Sequence, residues 1–147
     1  MAHEDARSVV DELIQTCRDG EQGFRNAAEA VEDPAAQRLF RTYADQRAQF
    51  AAELQAEASR LGGDPERSGS IAGTLHRGWM DVKSAATGGR LSSIAAEAER
   101  GEDSAKKAYE KALRASLPPD LHALVERQHA QVKQAHDQVR ALRDRAA

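Results

Sequence analysis

Val10, Ile14, Cys17, Glu21, Phe24, Ala28 and Val31 recur alternately four and three residues apart. That spacing sets them on one stripe of an α-helix, and the pattern predicts a helix over residues 3–31. Glu32-Asp33-Pro34 interrupts it: Asp33 suits an N-cap and Pro34 a first helical position, so a second helix starts at once and runs back antiparallel over 34–62. Its stripe is Ala36, Phe40, Tyr43, Arg47, Phe50, Leu54, Glu57 and Leu61, and Gly62-Gly63 ends it. Residues 64–70 read as loop. Ile71, Leu75, Trp79 or Met80, Val82 and Ala86 then predict a short helix over 70–87, inside a crossover that lays Trp79 over the bundle, with Gly88-Gly89 as its stop. A third helix over 90–115 carries Leu91, Ala95, Ala98, Glu102, Ala105, Tyr109, Ala112 and Ser116. After the Leu117-Pro118-Pro119 turn, a fourth over 119–146 carries Leu121, Val125, Gln128, Val132, Ala135, Val139 and Leu142. Period-two alternation is missing, so the chain reads as all-α.

Two short turns and one long connection imply a hairpin, a crossover and a second hairpin. That is the ferritin-like variant of the four-helix bundle, a single domain over 1–147 in which the second and third helices run parallel. Composition narrows the picture further. The 147 residues are 40% hydrophobic and 31% charged, with net charge −3 and only 4% aromatics. Acidic and basic residues are interspersed, so no basic block argues for nucleic acid. No apolar run is long enough to span a bilayer, and the first residues lack a signal-peptide pattern, which points to a cytoplasmic protein. Cys17 is the only cysteine, which excludes an internal disulfide and a cysteine zinc cluster.

Candidate chemistry lies where charges interrupt the apolar stripes. A charged side chain in a core stripe is costly unless it is paired, hydrogen-bonded or metal-bound. Folding each hairpin about its turn sets Glu21, Arg47 and Glu102 near one height. Gln128 or His136 is then the fourth helix's contribution to a buried polar layer. A di-metal bundle needs a Glu from each of two helices and a Glu-x-x-His from each of the other two. Glu21 and Glu102 fit the single glutamates. The frames that should carry Glu-x-x-His are Arg47-Ala48-Gln49-Phe50 and Lys133-Gln134-Ala135-His136, which do not. The literal match at Glu126 to His129 falls at another height, with Glu126 off the stripe. Arg47 keeps its proton, so it neutralises carboxylates instead of ligating a metal. The layer therefore reads as a metal-free Glu-Arg-Glu network with no cofactor. The competing reading is one iron or manganese held by Glu21, Glu102 and His136.

The chain resembles the bacterial four-helix-bundle family known as domain of unknown function 2383. The resemblance rests on Asp19-Gly20-Glu21 with Gly23, Gln46-Arg47 with Phe50 and Leu54, Leu61-Gly62, the His76/Trp79 crossover, Arg100-Gly101-Glu102-Asp103 with Tyr109, and His136-Asp137. It covers residues 10–143 and implies a ferritin-like fold without an established activity. The chain is more distantly similar to rubrerythrin and ferritin, but departs from their ligand pattern at Arg47, Phe50 and Lys133.

The remaining candidates have plainer readings. Asp19-Gly20 lacks the other positions of a calcium loop and fits a helical locus where Gly20 admits a close neighbour. Cys17 is expected as a small buried core residue. His3, His76, His122 and His129 are expected at the surface. No nucleophile motif or phosphate-binding glycine loop occurs. The sequence thus predicts a non-catalytic bundle with a structural or interaction role, which the resemblance alone links to bacterial stress or envelope physiology, open to homo-oligomerisation, with no named protein partner. The alternative is a divergent carboxylate metalloprotein with redox or metal-binding activity.

Overall fold

The computed structural model describes residues 2–62 and 90–146. They form four helices, α1 (Ala2–Ala30), α2 (Pro34–Leu61), α3 (Leu91–Leu113) and α4 (Pro119–Ala146). The turn between α1 and α2 follows its local chemistry. Asp33 is extended and caps α2, its Oδ2 accepting the Ala36 N–H at 2.9 Å, with Pro34 at the first helical position. At the far end of α2, Gly62 takes φ +76°, a conformation that costs glycine little. Arg7 of α1 donates there to the carbonyls of Ala58 (2.8 Å) and Gly62, satisfying two acceptors that a helix end leaves open. The short helix expected over 70–87, and Trp79 and His76 with it, lie outside the described residues.

Side-chain pairs fix the directions of the helices. Arg7 meets Ala58 and Arg25 lies 3.8 Å from Asp45, so α1 and α2 are antiparallel. Glu12 meets Lys111 and Cys17 meets Tyr109, so α1 and α3 are antiparallel. Tyr109 meets Gln128 and Asp103 meets His136, which makes α3 and α4 antiparallel. It follows that α2 and α3 run parallel, as the sequence predicts. The main packing partners of α1 are α2 and α3; α4 packs on α3 and, more thinly, on α2. This leaves α2 and α3 diagonal to each other across the core.

The predicted apolar stripes are buried in α2, α3 and α4, apart from half-buried Glu57, Leu61 and Leu91 and exposed Ser116 near helix ends. Together they make two apolar clusters. One holds Phe24, Phe40, Tyr43, Ile94, Ala98, Ala135 and Val139; the other holds Val10, Ile14, Cys17, Phe50, Leu54, Ala105, Tyr109, Val125 and Val132. On α2 the boundary between them falls at Arg47, and on α3 at Glu102. In α1 it falls at Gly20, not at Glu21 as the apolar pattern predicts. The stripe with Glu21 at its centre is therefore corrected by one residue. Val10, Leu13, Cys17, Gly20, Phe24, Ala27 and Val31 keep the same three-and-four spacing and are buried. The Glu21 side chain is 29% exposed and pairs with Arg25 at 2.8 Å, one turn along its own helix.

Candidate functional site: a buried ion pair across the core

Because α2 and α3 are diagonal, only long side chains can join them. Arg47 and Glu102 do so, with side chains 1% and 0% exposed. Arg47 Nη1 donates to Glu102 Oε2 at 2.6 Å and Nη2 donates to Oε1 at 2.5 Å. This is the two-pronged geometry in which a planar guanidinium matches a carboxylate best. Gln46 Oε1 accepts from Arg47 Nε at 3.3 Å. The Phe24 ring lies under the guanidinium, its centroid 5.4 Å from Cζ, and adds a cation–π contact. Room for the arginine comes from α1: a Cβ at Gly20 would stand 3.4 Å from both Cγ and Nη1 of Arg47. Burial alone would push the guanidinium down, but the Glu102 charge and its hydrogen bonds outweigh that and hold it above its ordinary value. Arg47 is therefore a cation at any physiological pH.

One to two turns away, a chain of hydrogen bonds crosses the bundle. Tyr109 Oη donates to Gln128 Oε1 at 2.7 Å, and Gln128 Nε2 donates to Glu53 Oε1 at 3.0 Å and to the Phe50 carbonyl at 3.4 Å. The single phenolic proton is thus committed to Gln128. Cys17 Sγ, 3.1 Å from Tyr109 Oη, must then be the donor in that contact. Burial raises the Cys17 thiol to about 11, although the Arg47 charge pulls the other way. Burial likewise raises the Tyr109 phenol well above its usual range. Neither group is ionised near neutral pH, so neither is an activated nucleophile or base.

The residues predicted for one polar layer separate in the structure. Arg47 and Glu102 meet. Gln128 is buried but belongs to the Tyr109 chain, and Glu21 stays with Arg25. His136 faces α3, with Nε2 2.7 Å from Asp103 Oδ1 and 3.9 Å from Glu99 Oε2, and Nδ1 3.3 Å from Asp137 Oδ1. Glu99 is also held by Arg143. Glu21, Glu102 and His136 therefore do not converge, and both oxygens of Glu102 are taken by Arg47. Glu126 is largely exposed and pairs with His122 at 2.8 Å, so the Glu126-to-His129 match supplies nothing to the core. His129 is half-buried and not the surface residue expected, with Nε2 4.0 Å from Glu110. No group of three or more His, Cys, Asp or Glu side chains among the described residues could hold a metal ion. The donor set does not fit a di-metal centre: a guanidinium stands in the α2 ligand frame, and its partner carboxylate has no oxygen free of it.

Glu53 and the Cys17–Tyr109 contact were not singled out from the sequence as members of the polar core. Tyr109 sat on the predicted stripe, but nothing local shows where its hydroxyl points. Gly20 did leave a signal, a glycine in mid-helix where a close neighbour is the usual reason for it.

A family model described as domain of unknown function (DUF2383) matches residues 5–115. The chain belongs to that family. The matched span holds Gly20, Arg47, Glu102 and Tyr109, and thus the whole ion pair. The DUF2383 match ends near the α3–α4 turn, before Gln128 and His136. No curated protein matches the chain.

Proposed function

We propose that this DUF2383 bundle is a non-catalytic structural or interaction protein whose core is closed by an ion pair where a carboxylate-bridged metal pair would otherwise sit. The resemblance links it to bacterial stress or envelope physiology, and the lack of a signal-peptide pattern favours the cytoplasm. The observation that carries the reading is the doubly hydrogen-bonded, fully buried Arg47–Glu102 pair. A metal pair of this class needs about four carboxylates and two imidazoles. Here one central carboxylate is already neutralised, and a fixed cation occupies the space. At about 4 Å and an effective dielectric near 20, each unit of added cationic charge would meet roughly 4 kcal/mol of repulsion from Arg47. The protonated states of Cys17 and Tyr109 favour a non-catalytic role for the neighbouring hydrogen-bond chain as well.

The test is a metal count. Protein purified without chelator or His-tag is incubated with ferrous iron without oxygen, or with manganese, then desalted and analysed for metal per chain. Wild type should retain no stoichiometric metal. Arg47→Glu, which removes the cation and adds a carboxylate beside Glu102, is the variant in which a site could emerge. Two metals per chain in wild type would overturn the reading and move the protein to the oxidase class.

A further inference from the structure

We draw no further inference here: the strongest candidate, the Glu99–Asp103–His136 side-chain cluster on the α3–α4 seam, carries nothing because its members are satisfied by one another and by Arg143 and Asp137, and nothing in the structure points to a ligand it would take.

Discussion

Replacing Arg47 by methionine is the sharpest perturbation this core allows. Methionine fills much of the same volume and removes the charge that, among the described residues, is paired with Glu102. Both members of the pair are essentially inaccessible to water. Their attraction is roughly 4 kcal/mol at an effective dielectric near 20, while desolvating each ion costs several kcal/mol. The net worth of the pair is therefore small, but breaking it from one side strands a buried carboxylate and should cost about 3–5 kcal/mol. For a bundle of 147 residues, whose total stability is on the order of 5–15 kcal/mol, that is a large fraction, about 10 °C in Tm. Burial without a counter-ion pushes the Glu102 carboxyl of the variant up, whereas in the unfolded chain it titrates near the ordinary value of about 4.3. Between those two values the folded variant binds more protons than the unfolded one, so its stability falls as pH rises. Acidifying from pH 7 to pH 5 should accordingly narrow the gap to wild type. The double replacement Arg47→Met with Glu102→Met removes both charges and should return to within about 1 kcal/mol of wild type. Urea unfolding followed by far-ultraviolet circular dichroism, at both pH values, measures all three proteins. Equal losses in the single and double variants, or a gap for Arg47→Met that does not change with pH, would refute the reasoning.

Two further outcomes follow from the same geometry. A Cβ at Gly20 meets Arg47 at an ordinary contact distance of 3.4 Å, so Gly20→Ala should be neutral or stabilise by up to about 1 kcal/mol through helix propensity, whereas Gly20→Leu should displace the guanidinium and match the loss seen in Arg47→Met; the same urea titrations compare them. The Cys17 thiol, at about 11 when folded against 9.0 unperturbed, contributes stability that is complete below about pH 9 and lost as pH climbs through 11, so Cys17→Ser, whose hydroxyl does not titrate there, should flatten the alkaline fall by up to roughly 3 kcal/mol, and an unchanged slope between about pH 9 and pH 11 would remove Cys17 from the account.

Much of the fold is legible because its signals are local. The Asp33-Pro34 cap, the glycine after α2 and the 3.5-residue apolar repeats each place a boundary or a face without reference to the rest of the chain. The parallel course of α2 and α3 follows from connection lengths alone. The charge at Arg47 is legible for the same reason: its neighbours on the stripe are apolar. Glu21 misleads because Gly20 and Glu21 each complete a valid three-and-four series, and a glycine, with no side chain to bury, does not register as a core position. The helix rotation that decides between them is set by Arg47, a residue on another helix. His136 illustrates a second limit. Its height was readable from the turn at 118, but whether it faces the core or Asp103 depends on how α4 rotates against α3. The Cys17–Tyr109–Gln128–Glu53 chain draws on all four helices and has no local signature at all.

The diagonal placement of the pair bears on what it does for the fold. Alanine supplies much of this core, and contacts between small side chains change little when one helix slides past another by a turn. Such a slide moves α3 by about 5.4 Å. It would bring Ala98 or Ala105 level with Arg47 and leave both charges buried and unpaired, at a cost of several kcal/mol. The pair thus penalises the wrong registers far more than it stabilises the right one, and it acts between two diagonal helices that share few other contacts. A core made neutral and apolar at both positions should keep its stability and lose its single register. The measurement is an amide NMR spectrum of the Arg47→Met, Glu102→Met protein: extra or broadened resonances from α3 and α4 are expected where wild type gives one sharp set. A double variant as stable and as uniform as wild type would mean that alanine packing alone selects the register, and that Arg47 and Glu102 persist for a reason outside the fold.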